Sequence, residues 1–201
     1  MFGLPVSTEC KKQLPKKAIY AKFDLKASQR DAFDGDVARI DVVAVVSAVT
    51  VPALGAGQQM REFYVLAVQM KRRDYDAKNV ILLTKLIHQK MVLALQYDGQ
   101  TQFAIYHTKL IISDWLPTEQ AKLSLSGLNI DNAWDNIIKQ TGRIDVEEGK
   151  SITEQISDND RKEKIEEQIK MLERKLVSEK QPRKKREYFE AIKQWRSILN
   201  L

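Results

Sequence analysis

The stretch YVLAVQMKRRDYD, residues 64–76, contains residue types that could support catalysis or binding. It begins as an apolar strand and ends in charged residues. Gln69 and Lys71 are two positions apart, so both side chains would face the same side of a strand. The helix predicted before this stretch contributes Asp34, Asp36 and Asp41 as possible acidic partners. Carboxylates can hold a divalent metal ion that activates water, and a nearby lysine can orient the nucleophile and stabilise developing charge. These residues are therefore one candidate for a catalytic site.

The Gln-x-Lys spacing is similar to one half of the PD-(D/E)XK pattern of restriction-type nucleases. Under this alternative the catalytic residues are Asp34, Asp41, Gln69 and Lys71. Glutamine is a poorer metal ligand than glutamate, and no Pro-Asp strand precedes the pair. We therefore favour a scaffold strand over 61–72, with a basic end that meets solvent and can contact phosphate: Lys71, Arg72 and Arg73.

An acidic segment offers a second candidate, a metal site made by Asp31, Asp34 and Asp41 near one face of a helix. Arg30 and Arg39 stand close enough in sequence to form ion pairs with these carboxylates. We therefore expect a solvated, salt-bridged face in place of a metal site.

The remaining residue types argue against cofactor chemistry. The two histidines, His88 and His107, have no recognisable nucleophile or base beside them, and we expect structural roles for both. Cys10 is the single cysteine, which excludes an internal disulfide, and no Cys/His spacing suits zinc. The glycine-containing segments lack phosphate-loop and Rossmann spacing. We expect no cofactor and no metal.

Composition and charge limit the possible classes of protein. The 201 residues, of which 43% are hydrophobic, suit one domain with an appendage. The N-terminus lacks signal-peptide character, and no apolar run approaches the roughly 18 residues of a membrane span, so we expect a cytoplasmic protein without membrane contact. The formal net charge of +6 divides into +5 for residues 1–30, −3 for 31–157 and +4 for 158–201. Basic ends favour a nucleic acid or an acidic protein as partner.

The order of predicted elements indicates the fold class. Strands are predicted at 16–23, 61–72 and 121–125, and as a hairpin around Asp98-Gly99 over 90–111. Helices are predicted at 26–48, 76–89 and 131–140, although the valine-rich end of the first is equally typical of a strand. This order predicts an α/β (α+β) core domain over residues 1–150, with a mixed β-sheet and packed helices.

From residue 151 the sequence predicts a second domain, a basic, coiled-coil-like antiparallel helical hairpin over residues 151–201. Ser151 and Glu154 form a capping box, and Gln181-Pro182 interrupts the helix. Apolar residues at 4-3-4 spacing form the predicted seam: Ile165, Ile169, Leu172, Leu176, Tyr188, Ile192, Trp195 and Leu199. Helices of this length must bury such a seam to be stable in water.

A basic run opens the second helix of this hairpin: Arg183, Lys184, Lys185 and Arg186. Adjacent charges can contact the phosphates of DNA or RNA without sequence specificity, and Tyr188 or Trp195 is near enough to stack on a base. The alternative is a solvated basic turn with both aromatic residues in the core of the hairpin.

Five segments along the chain are distinctive together: FGLPVSTE, LPKKAIYAKF, SQRDAFDGDVARID, YHTKLIISDW and LSGLNIDNAWDNI. They resemble a bacterial and archaeal family catalogued as domain of unknown function 4391, and the resemblance covers nearly the full length. The resemblance implies neighbouring genes for a helicase and a DNA methyltransferase, in clusters that look like phage-defence systems. It therefore implies an accessory component with these proteins as partners.

Together these observations predict a non-catalytic accessory subunit of an antiviral defence system, which binds protein partners and possesses a basic arm for DNA or RNA backbone. Two alternatives stay open. The first is a divergent metal-dependent nuclease, and the second is a structural oligomerisation subunit without affinity for nucleic acid.

Overall fold

The computed structural model describes residues 1–85 and 89–199, which form two compact units, Met1–Asp145 and Val146–Leu201. The strands of the first unit are β1 (Glu9–Gln13), β2 (Val37–Ser47), β3 (Glu62–Met70), β4 (Lys90–Tyr97), β5 (Gln100–Tyr106), β6 (Leu110–Ile112) and β7 (Leu116–Pro117). Its helices are α1 (Lys16–Phe23), α2 (Ala27–Asp36), α3 (Ala77–Thr84) and α4 (Ile130–Gly142). The second unit consists of α5 (Ile152–Ser178) and α6 (Pro182–Leu199). Within the described ranges, no helix has the length and apolar character needed to cross a membrane.

One mixed β-sheet organises the first unit. Strands β1 to β6 lie side by side in chain order, and β7 pairs with β5. The central pair, β3 and β4, is parallel, with Gln69 opposite Gln96, and the other pairs are antiparallel. Parallel neighbours need a crossover connection, and α3 lies within it. The predicted α+β class, with a mixed sheet and packed helices, is confirmed.

Each face of the sheet is covered by different elements. Helices α1, α2 and α3 contribute Ile19, Phe33 and Val80 to the core on the first face, where they pack against the alternate residues of β2 to β5. On the opposite face, Trp134 of α4 packs against Phe63, with 5.3 Å between ring centroids. The N-terminal segment covers the same face through Phe2, whose ring meets Phe103 edge-on at 5.6 Å.

The Asp98-Gly99 turn between β4 and β5 agrees with its prediction. Both residues have positive φ, 45° and 71°, as a two-residue type I′ hairpin requires. The turn fixes the register of the two strands, in which Tyr97 lies opposite Gln100.

Residues 16–23 form helix α1, so the strand predicted there is wrong. Pro15 has extended backbone immediately before the helix, and Asp24 ends it in the left-handed conformation with φ of 44°. Ile19 and Phe23 are separated by four residues and therefore lie on one helical face, which packs on the core. The apparent alternation in this short segment concealed that helical spacing.

Residues 26–48 divide at Asp36 into α2 and β2, so the valine-rich half, for which the sequence left helix and strand open, is a strand. β-Branched residues lose side-chain freedom in a helix and fit a pleated sheet, and β2 pairs with β1 on one edge and β3 on the other.

The strand predicted at 121–125 is wrong, because those residues form no strand. Leu123 is buried there, and its N–H donates to the carbonyl of Phe2 at 2.8 Å.

The loop between β2 and β3 is held by one carboxylate. Asp131 of α4 accepts the backbone N–H groups of Gln58 at 2.6 Å and of Gln59 and Met60, both at 3.0 Å. Burial by itself would raise the pKa of Asp131, but these three donors lower it overall. Gly57 has no room for a side chain, since a Cβ would lie 2.3 Å from the Met60 carbonyl oxygen and 2.5 Å from Asp131 Oδ1.

The second unit is an antiparallel pair of helices. The predicted capping box is present, because Ser151 Oγ accepts the Glu154 N–H at 3.2 Å and Glu154 accepts the Ser151 N–H at 2.9 Å. Three residues connect α5 to α6, so the chain reverses direction there. The seam contains these residues: Ile165, Ile169, Leu172, Leu176, Ile192, Trp195 and Leu199. Of the predicted seam residues, Tyr188 lies half-buried outside this cluster.

Candidate nucleic-acid interface

Asp36, one of the acidic residues considered for catalysis, is a buried structural carboxylate. Its side chain is 0% exposed and accepts hydrogen bonds from Arg72 Nε at 2.5 Å, Asn79 Nδ2 at 2.7 Å and the Asp76 N–H at 2.9 Å. Burial would raise the pKa of Asp36, but these donors lower it overall. Both oxygens are therefore engaged in joining the end of α2 to the segment after β3.

Asp34 and Asp41 each have basic partners of their own. Asp34 Oδ1 accepts hydrogen bonds from Lys16 Nζ at 2.6 Å and Tyr20 Oη at 2.5 Å, and these bonds lower the pKa of Asp34 despite its partial burial. Burial and the contact with Asp34 raise the pKa of Tyr20. Asp41 lies on β2, not on a helix as predicted, and Arg39 donates to both of its oxygens at 2.7 and 2.9 Å. Asp41 therefore has the predicted partner Arg39. Asp34 pairs with Lys16 and not with Arg30, which donates to the Leu25 carbonyl.

The structure brings together only part of the nuclease alternative. Beyond burial and its hydrogen bonds, the charge of Lys71 also acts on Asp34 and lowers its pKa, whereas Gln69 and Asp41 lie elsewhere. Gln69 is exposed and shares the opposite face of the sheet with Asp41 on the neighbouring strand, whereas Asp34 contacts α1 on the first face. Lys71 follows the end of β3, and its N–H donates to the Asp36 carbonyl at 2.7 Å. Across residues 1–85 and 89–199, no three His, Cys, Asp or Glu side chains are grouped closely enough to hold a metal ion.

The basic end of β3 is engaged in contacts within the first unit. Arg72 is bound to Asp36, and the guanidinium of Arg73 lies 5.7 Å from the centre of the Trp115 ring. Lys71 is exposed beside them. Of the three residues predicted to contact phosphate, Arg72 and Arg73 therefore have structural partners within the first unit. This is what we expect of a scaffold strand.

His107 is half-buried at the end of β5. Burial lowers its pKa, with a further contribution from the charge of Lys90, while Asp135 acts in the opposite direction. His88, the other histidine, lies outside the described residues. The structural roles expected for both histidines stay predictions.

The tip of the α5–α6 pair, residues 170–186, concentrates positive charge. It contains eight Lys/Arg residues and two Glu residues, a formal charge of +6. The turn is fixed by Glu179, whose carboxylate accepts the N–H groups of Lys180 at 2.8 Å and Gln181 at 3.0 Å. These two N–H groups also hold the pKa of Glu179 below its usual value. A hydrogen-bonded turn therefore presents the basic residues at one end of the unit.

The four-residue basic run does not form a single surface. Successive helical residues are rotated by about 100°, so its members point in different directions around the first turn of α6. Arg183 forms an ion pair with Glu187 at 3.3 Å, and within the described residues it is the only one of the four that has such a partner. Lys185 and Arg186 turn toward another flank of the helix, which they share with Phe189.

Phe189 was not predicted as a site residue, but it is the exposed aromatic residue of α6. Its side chain is 58% exposed, whereas Trp195 packs in the seam and Tyr188 is half-buried. The predicted stacking role of Tyr188 or Trp195 is therefore better suited to Phe189. The helical spacing could have revealed it, since Lys185 and Lys193 stand four residues before and after Phe189.

The chain matches a known family over nearly its whole length. The family described as Domain of unknown function (DUF4391) matches residues 2–199, and the chain therefore belongs to this family. No curated protein and no solved structure matches the chain.

Proposed function

We propose that this member of the DUF4391 family is a non-catalytic accessory subunit of a bacterial phage-defence system, and that the tip of its α5–α6 pair binds nucleic-acid backbone. The α+β unit would serve as the docking module for protein partners. The family resemblance suggests a helicase or a DNA methyltransferase as these partners.

The charge of the tip is the observation that supports nucleic-acid binding. Its formal charge of +6 equals the net charge of the whole chain, so the remaining residues sum to zero. Lysine and arginine side chains that neutralise phosphates release condensed counterions, and this release supplies most of non-specific affinity. Of the four basic residues that open α6, Arg183 alone is paired within the described residues, which leaves the others available to phosphate.

Charge reversal at the tip tests this proposal. The tip variant changes three basic residues to glutamate: Lys184, Lys185 and Arg186. A matched control variant reverses three exposed lysines of the first unit: Lys11, Lys12 and Lys17. In titrations with fluorescent single-stranded and duplex DNA and RNA at low salt, we expect the tip variant to lose affinity on the order of 100-fold, because attraction becomes repulsion. The control variant should retain clearly more affinity.

Equal affinity of the wild-type protein and the tip variant would contradict nucleic-acid binding by the tip, and the helical pair would then be a protein-docking arm. The same preparations address the two alternatives. Magnesium-dependent cleavage that is lost on Lys71→Ala would favour a nuclease. Salt-independent self-association without affinity for any oligonucleotide would favour a structural oligomerisation subunit.

A further inference from the structure

One flank of α6 combines positive charge with an exposed aromatic ring. Lys185, Arg186 and Lys193 stand at i−4, i−3 and i+4 relative to Phe189, so all three surround it on the helix surface. We call these four residues the basic flank. Lys185 and Lys193 are separated by about 12 Å along the helix axis at 1.5 Å per residue, a span of a few nucleotides of one strand.

The two acidic residues of α6 stand differently relative to the basic flank. Glu187 falls on the other side of the helix, where it pairs with Arg183, whereas Glu190 borders the basic flank, four residues after Arg186 and three before Lys193. Farther along the same side as Phe189, Arg196 donates to Glu173 of α5 at 2.7 Å. Within the described residues neither Arg186 nor Lys193 forms an ion pair with Glu190, so the basic flank keeps three positive charges beside one carboxylate, and phosphate groups complement this excess.

Phe189 does not belong to the core of the helical pair. Ile192, one turn away, is buried in the seam, whereas Phe189 lies outside that cluster and is 58% exposed. An aromatic face that is open to solvent and bordered by cations is suited to a nucleobase, because stacking accepts any base while the cations contact the flanking phosphates. A duplex offers phosphates but keeps its base faces stacked on one another, so it can use only part of this surface.

We infer that the basic flank binds a single strand of nucleic acid, with one base stacked on the Phe189 ring and the neighbouring phosphates on Lys185, Arg186 and Lys193. This inference rests on the proposed nucleic-acid binding by the tip. It adds a preference for single strands over duplexes, which non-specific charge alone does not provide.

Substitutions of Phe189 in the full-length protein separate stacking from charge. Phe189→Ala should weaken binding of a single-stranded DNA oligonucleotide roughly tenfold, within the range measured for removal of one stacking residue. Affinity for a duplex of the same length, and the dependence of affinity on salt, should stay unchanged. Phe189→Trp should retain single-strand affinity. Val177→Ala, which removes an 84% exposed apolar side chain from α5, is the matched control and should have no effect.

Circular dichroism should give equal helicity for all of these variants, because neither side chain is part of the seam. Unchanged single-strand affinity of Phe189→Ala, or an equal loss for single strand and duplex, would overturn the inference. In either case a large loss in the Lys184, Lys185 and Arg186 variant would still support the proposed function. Absence of binding by the wild-type protein to every oligonucleotide would instead overturn both.

Discussion

Substitution of Asp36 by alanine tests whether this carboxylate is structural, and its cost can be worked from its three donors. Arg72 is 56% exposed, so water can solvate its guanidinium after the change and little is lost there. Asn79 is only 7% exposed, and its amide would lose the carboxylate but keep the Ala32 carbonyl at 3.2 Å, while the partly buried Asp76 N–H would lose its partner. An unsatisfied buried donor costs about 1–3 kcal/mol, so the free energy of unfolding should fall by about 2–4 kcal/mol once the vacated space is included.

The contribution of Asp36 should depend on pH with a defined sign. Its pKa is lowered by folding from the ordinary value of 3.8, so the folded state favours the charged carboxylate. The stabilisation is therefore fully present above the unfolded pKa and is lost as the pH falls through the folded pKa. The difference between wild type and Asp36→Ala should be large at neutral pH and shrink in acid.

Urea denaturation followed by far-UV circular dichroism, at neutral and acidic pH, measures this difference. Asp41→Ala serves as the control, because Asp41 pairs with Arg39 on the surface and its loss should leave the neutral midpoint nearly unchanged. A loss below about 1 kcal/mol for Asp36→Ala, together with loss of biological activity, would refute the structural assignment. Asp36 would then act in function and not in folding.

Three further predictions concern the β2–β3 loop, the helical seam and the end of β3. Gly57→Ala should lower the melting temperature of the protein, because the new Cβ would lie 2.3 Å from a carbonyl oxygen. Gly35→Ala, where the Cβ would meet open space, is the control and should raise the melting temperature slightly. Thermal denaturation of the two variants measures the difference. Trp195→Ala should destabilise the α5–α6 pair by about 3 kcal/mol. Circular dichroism at moderate denaturant concentration should therefore show a loss of helicity. Unchanged helicity would place Trp195 outside the seam. Gln69→Ala combined with Lys71→Ala should cost on the order of 1 kcal/mol and preserve activity of the assembled system, while inactivity of the folded double variant would favour catalysis.

The helical pair and the central strands could be predicted because their patterns are local. The 4-3-4 spacing from Ile165 to Leu176 identifies a buried seam without knowledge of its partner, and Asp98-Gly99 fixes a hairpin within a few residues. The parallel pairing of β3 and β4 follows from the helix between them.

The errors arose where contacts between distant segments decide the structure. Residues 16–23 form a helix whose first residue, Lys16, donates a hydrogen bond to Asp34, 18 positions away in the sequence. Asp36 and Arg72 are 36 positions apart, so their ion pair leaves no periodic pattern in the sequence. Phe189 is a different case, because its place between Lys185 and Lys193 on the helix surface could be found from helical spacing, and only its exposed fraction required the structure.

Phosphate binding by the tip is tested most directly by the slope of log Kd against log salt concentration for single-stranded DNA. Each phosphate contact contributes about 0.7 to that slope. The double substitution Lys185→Gln with Arg186→Gln removes two of the proposed contacts without adding negative charge, so the slope should fall by roughly 1.4. The same slope for wild type and variant, or an affinity that does not depend on salt, would contradict phosphate binding by the tip.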